Sequence, residues 1–133
     1  MAKTFACRVI TPERAVLACE ATFVAFPAYD GEMGILPQRA PLIAKLGIGA
    51  LRVNSPEEHH LLFIDGGFVE MVDNHLTILT EEARWPREID RNQVEKKLAA
   101  ALAAEIPDEA AFQARQHALA SARAQLKILE QAA

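Results

Sequence analysis

No apolar run in this chain approaches the roughly 20 residues that a membrane-spanning helix needs, so direct membrane insertion is not expected. The opening residues, MAKTFACRVI, lack the charged, apolar and cleavage regions of a secretory signal. The chain is therefore expected to stay in the cytoplasm or an equivalent compartment. There is no excess of basic residues: Lys and Arg number 14 against 18 Asp and Glu, for a net charge of -4. That balance argues against non-specific binding to nucleic acid or to anionic lipid. Cysteine is scarce, with two in all, Cys7 and Cys19. If residues 11–14 make a tight hairpin turn, the two lie near each other across a ladder. A disulfide is then conceivable, while a cytosolic setting favours two buried thiols.

Catalytic sets are missing too. No serine stands in a nucleophile elbow, and no glycine loop with a lysine is built to cradle phosphate. Gly47-Ile48-Gly49 and Gly66-Gly67 read as short turns between strands. His59 and His60 are adjacent, so on a strand they point to opposite faces. His75 falls in a turn and His117 on a late helix, and no pair has metal-ligand spacing with a third partner. The sequence calls for no metal and no cofactor.

What is present divides in two. The 133 residues are 51% hydrophobic and 24% charged, enough for one domain with a proper core, or one domain with an appendage. Residues 1–86 form the first part; from 3 to 80 they carry short runs of period-two or continuous apolar character, with strands expected near 4–10, 14–19, 21–27, 42–46, 48–53, 60–65, 67–72 and 75–80. Turn signals separate them at Thr11-Pro12, Tyr29-Asp30-Gly31, Asn54-Ser55-Pro56, Gly66-Gly67 and Asp73-Asn74. Many short strands without helical periods between them predict an all-β sandwich or barrel. Phe5, Cys7 and Val9 should face inward, with Ala6 and Arg8 outward.

Residues 87–133 change period. Asp90 is a good N-cap with Gln93 three residues on, and Ile89 and Val94 stand at the two positions of a hydrophobic staple. A helix is expected from there to about Glu105, with Val94, Leu98 and Leu102 on one face. Ile106-Pro107-Asp108 breaks it, and Asp108 caps a second helix bearing Phe112, Leu119, Leu126 and Leu129. Such a hairpin buries too little apolar surface to stand alone and needs a surface to lean on. Trp85, at the junction, reads either as a rim residue of the sandwich or as a dock for the hairpin. Arg115, Arg123 and Lys127 read as a solvated face, or as a surface for an acidic partner; Arg123 and Lys127 share one side of the helix.

The stretch Asp30 to Leu42 reads DGEMGILPQRAPL. Its turn-formers surround apolar residues that a solvated loop has no reason to keep. Asp30 and Glu32 allow acid–base work, plain turn chemistry or a contact loop. The contact loop is favoured, with the carboxylates orienting a partner while Met33 and Leu36 adhere.

DGEMGILPQRAPLI, the later DGGFVEM and the hairpin ending ARAQLKILE together resemble the epsilon subunit of F-type ATP synthases over essentially the whole chain. The resemblance implies a β-sandwich of about ten strands followed by a C-terminal α-helical hairpin. It implies a non-catalytic, cofactor-free rotor subunit of the central stalk, on the cytoplasmic face of the bacterial inner membrane. Its expected partners are the gamma subunit, the c-subunit ring and, with the hairpin extended, the alpha and beta catalytic subunits. By residue, Asp30, Gly31, Glu32 and Met33 match the c-ring contact. Thr11, Arg39, Leu42 and Ala44 match the gamma contact, and Arg115, Arg123 and Lys127 suit a catalytic subunit. Relatives with Gly-His differ from Gln38-Arg39 here. Relatives that bind ATP carry I-D-x-x-R-A, of which this chain keeps Ile89 and Asp90. Ser121 and Gln125 stand where those relatives place arginines, so the resemblance implies weak or absent ATP binding. A free-standing β-sandwich binding module with a helical tail is the alternative reading.

Overall fold

The computed structural model describes residues 3–132. Met1 and Ala133, the outer limits of the two expected parts, lie outside the described residues, as does Ala2. Ten strands and two helices follow one another. They are β1 (Phe5–Ile10), β2 (Ala15–Ala21), β3 (Phe23–Ala28), β4 (Gly31–Ile35), β5 (Leu42–Lys45), β6 (Ile48–Asn54), β7 (His59–Asp65), β8 (Phe68–Val72), β9 (His75–Leu79) and β10 (Glu82–Arg84). A single 3-10 turn at Pro86–Glu88 leads into α1 (Arg91–Ala103) and α2 (Glu109–Ala132).

The strands form two five-stranded sheets. The first runs β2-β1-β9-β8-β5 and the second β10-β7-β6-β3-β4. β1 and β9 pair in parallel, with Ala6 opposite His75, while the other ladders are antiparallel. Period-two alternation makes the core between the sheets. Phe5, Cys7 and Val9 are buried and Arg8 is exposed, as the pattern predicts. Val24, Phe26, Leu51, Val53, Leu62 and Ile64 meet them from the second sheet. Each large side chain so buried contributes roughly 1.5–3 kcal/mol.

Two strands lie outside the sequence expectation. Gly31–Ile35 forms β4, antiparallel to β3, rather than a bent loop. Ile35 is fully buried and Met33 packs half-buried on the core, so the apolar residues there serve the fold. Gly34 belongs in that strand because a Cβ would approach the Phe23 ring to 2.9 Å. β10 is only three residues long and pairs with β7, setting Ala83 opposite Ile64.

Cys7 and Cys19 do stand opposite each other across β1 and β2, as free thiols. Burial, with Cys19 adjacent, pushes the Cys7 thiol up to about 12. Burial, Glu20 and Glu58 also raise Cys19. Both therefore stay protonated and poorly nucleophilic.

The helical hairpin lies on the outer face of the second sheet. Phe63 faces outward from β7 yet is wholly buried, clustered with Ile89, Val94, Ala122 and Ile128. Ile48, Ala50, Leu61 and Leu98 flank that cluster. This second layer explains why β7 (HHLLFID) is apolar on both faces. Asp90 caps α1 by accepting from the backbone N–H groups of Asn92 and Gln93. Ile89 and Val94 are both buried, as a staple requires. α1 stops at Ala103, two residues before the expected end, and Leu102 is exposed rather than packed. The contact stripe is Val94, Leu98 and Ala101; Leu102 lies about 100° further round the helix. Trp85 packs against the sandwich core, with His60 edge-on at 5.9 Å.

Candidate functional site

Three surfaces carry the residues singled out above. The first is the β3–β4 turn. Asp30 and Gly31 are exposed at its tip, and Gly31 sits at φ 143°, which favours glycine. Glu32 pairs with Arg52 of β6 at 3.1 Å, with both side chains more than half exposed. Tyr29, exposed, lies under the Lys45 ammonium at 5.1 Å. Met33 faces the core, and Leu36, though exposed, lies at the other end of β4. The turn therefore presents Tyr29, Asp30, Gly31 and Glu32 together, without Leu36.

The second surface is the outer face of the first sheet. Register decides which side chains reach it. Leu42 lies opposite Met71 and Ala44 opposite Val69, so both turn toward the core and are half buried. Their neighbours turn outward: Ile43 is 71% exposed. Phe68 and Leu79 stand opposite each other on the same face, 57% and 52% exposed, and Val72 joins them at 40%. These four large apolar side chains share the outer sheet face with Glu70, opposite Ile43, and Lys45, opposite Phe68, which makes that face a candidate contact surface. Sequence reasoning did not single out these four; the signal for two of them was in FVEMV, where Phe68 and Val72 stand apolar on the outward set beside Glu70.

Thr11 and Arg39 frame that face from opposite ends. Thr11 follows the last residue of β1, buried, its hydroxyl exchanging hydrogen bonds with the backbone of Arg14. Arg39 is exposed, donating to the Ala40 carbonyl. Next to it, the Gln38 N–H donates to Asn74 Oδ1, and the Asn74 carbonyl accepts from Ala6 at the start of β1. The six residues of β1 separate the two ends by about 20 Å.

The third surface is the hairpin. Arg115 is half buried, its Nε donating to the Ala101 carbonyl at 2.9 Å, which closes the C-terminal end of α1. Arg123 and Lys127 are exposed, and among the described residues neither has an ion-pair partner. A cleft of about 730 Å³ opens between the last turns of α2 and the second sheet, lined among others by Ile48, Arg52, His59, Lys127 and Gln131. Of the nucleotide-motif residues, Ile89 is buried against the sheet and the Asp90 carboxylate is spent on its own helix. Gln125 is buried and donates to Ser121 Oγ at 3.0 Å, so neither offers a cation to a phosphate. Among the described residues, no His, Cys, Asp and Glu group is placed to hold a metal ion, and no helix is long and apolar enough to cross a membrane.

The fold is thus a two-sheet sandwich with one outer face strapped by its own helices and four large apolar side chains exposed on the other. The sequence model of the ATP synthase, Delta/Epsilon chain, beta-sandwich domain matches residues 4–86. The chain belongs to that family. It is 40% identical over 123 residues to the ATP synthase epsilon chain of Rhodopirellula baltica, covering 91% of this chain and 94% of that one. It is 44% identical over 90 residues to the epsilon chain of Desulfitobacterium hafniense strain Y51, covering 68% of each. Its fold matches a chain in the cryo-EM structure of the Euglena gracilis mitochondrial ATP synthase OSCP/F1/c-ring assembly in rotational state 1. That match has a TM-score of 0.85 and 26% identity, and covers 97% of this chain and 82% of that one. A chain from the Tetrahymena thermophila mitochondrial central stalk and c-ring shares the fold, with a TM-score of 0.69 and 15% identity.

Proposed function

We propose that this chain is a non-catalytic rotor subunit of the central stalk of an F-type ATP synthase, joining the gamma subunit to the c ring. The single observation that carries the division of its surfaces is the uncovered apolar face of Ile43, Phe68, Val72 and Leu79, while the opposite sheet is covered by the hairpin. On this reading gamma takes the bare face, with Thr11 and Arg39 at its two ends and Leu42 and Ala44 supporting it from beneath. The c ring takes the turn at Asp30, Gly31 and Glu32, with Met33 holding that strand on the core. The two parts, residues 1–86 and 87–133, divide the work. The sandwich couples, and the hairpin regulates hydrolysis by exchanging its sheet for the alpha and beta subunits. Arg123 and Lys127, exposed and without an ion-pair partner among the described residues, then suit an acidic partner, and Arg115 joins them once the helices part. Within a bacterial complex the chain is a peripheral protein on the cytoplasmic face of the inner membrane.

Co-purification tests the coupling role. The full chain should retain gamma, and Phe68→Glu with Ile43→Glu should lose it while the sandwich stays folded. Retention of gamma by a folded double variant would overturn the assignment of that face.

A further inference from the structure

Gln38 sits at φ 63°, in the left-handed region that glycine adopts freely and glutamine does not. Something must hold it there, and the structure shows what. Its backbone N–H donates to Asn74 Oδ1 at 2.7 Å. The other side-chain arm, Nδ2, donates to the Thr4 carbonyl at 2.9 Å. The Asn74 backbone carbonyl accepts from the Ala6 N–H at 3.2 Å. Asn74 is itself left-handed at φ 62°, as is Asp73 at φ 49°, in the two-residue turn that joins β8 to β9. One asparagine thus ties three segments distant in sequence: the start of β1, the β8–β9 turn and the link from β4 to β5. Val72 of the bare apolar face lies two residues before it. Arg39 lies one residue beyond the turn it fixes.

We propose that Asn74 is a positioning residue for the rotor interface. It holds the Gln38–Arg39 turn and the first strand in one frame, so that gamma meets a preformed edge at that end of the apolar face. This rests on the reading that gamma takes that face. A turn that must be ordered on binding loses affinity; one ordered beforehand does not. Oδ1 holds the left-handed backbone of Gln38, and Nδ2 holds the chain just before β1.

The test is a titration of purified gamma onto the full chain and four variants, each checked for folding by circular dichroism. Wild type should bind, and Asn74→Ala should bind about tenfold more weakly, roughly the worth of one hydrogen bond. Asn74→Asp keeps an oxygen for the Gln38 N–H but loses the donor to the Thr4 carbonyl, and should bind between wild type and Asn74→Ala. Adding Gln38→Gly to Asn74→Ala should recover most of the loss, because glycine needs no clamp at that φ. Should Asn74→Ala fail to fold, Asn74→Gly removes the same side chain while suiting the φ of 62° at that position, and should also weaken binding about tenfold. If wild type binds gamma and the folded clamp-breaking variants bind equally well, the proposal is overturned. A loss that Gln38→Gly cannot rescue overturns it as well. Failure of wild type itself to bind overturns instead the reading of the face.

Discussion

Nε2 of His117 on α2 stands 2.9 Å from Oδ2 of Asp65 at the end of β7. It is a polar tie between the hairpin and the sheet beneath it, at the edge of an otherwise apolar contact. The Asp65 side chain is only 13% exposed, so it has little water to turn to if the imidazole is lost. His117→Ala should weaken hairpin docking by about 1 kcal/mol and lower the melting temperature by about 4 °C. Faster tryptic cleavage at Arg123 and Lys127 checks that the helix, and not the sandwich, has loosened. Unchanged cleavage would mean the contact contributes nothing.

Removing residues 88–133 should leave a folded sandwich, because the core between the sheets draws no residue from the helices. It should uncover Ile48, Ala50, Leu61 and Phe63. The expected result is a β-type circular dichroism spectrum, stronger binding of an apolar dye and undiminished capture of gamma. Loss of gamma capture by a folded truncated chain would contradict the division of labour between the two parts.

ATP should not bind in the micromolar range. Asp90 is occupied by its own helix, and Ser121 and Gln125 satisfy each other. Isothermal titration should show no saturable heat. Replacing both Ser121 and Gln125 by arginine, which supplies the missing guanidinium groups, should strengthen binding measurably.

Acid should loosen the junction through Glu88. Its carboxylate accepts from the Trp85 N–H at 2.9 Å and from Arg14 at 3.0 Å, and these hold its pKa below the usual carboxylate range. A group depressed in the folded state stabilises above its unfolded pKa, about 4.3 for glutamate, and that contribution disappears as pH falls through the folded value. Trp85, the one tryptophan, reports on the site directly. Its fluorescence should change below about pH 4 in the wild type. The same change should be absent or much reduced in Glu88→Gln.

Much of this architecture can be read from residue order. Alternation marks β1, a continuous apolar run marks β7, Asp90 marks the start of α1, and the Ile106-Pro107-Asp108 break separates the helices. β4 escaped because Gly31 and Gly34 look like turn residues. Only the position of the Phe23 ring shows that Gly34 is a strand residue kept small by a neighbour. β10 escaped because Glu-Ala-Arg has no strand character of its own; pairing with β7 imposes it. The same limit applies to the candidate site. Resemblance points to Leu42 and Ala44; only the strand register shows that these two face the core half buried and that Ile43 between them faces out. Asn74 gave no local signal, because its role is to join segments that lie far apart in the chain.

The parallel pairing of β1 with β9 also sets a timetable for the nascent polypeptide. β1 leaves the ribosome among the first segments, yet one of its two flanks stays unpaired until His75 to Leu79 have been made. Such long-range closure is slow relative to helix or hairpin formation. The first sheet, and the exposed apolar side chains it carries, therefore closes only when both β1 and β9 have been synthesised. On the proposed role, binding of gamma to that face should accordingly wait for β9.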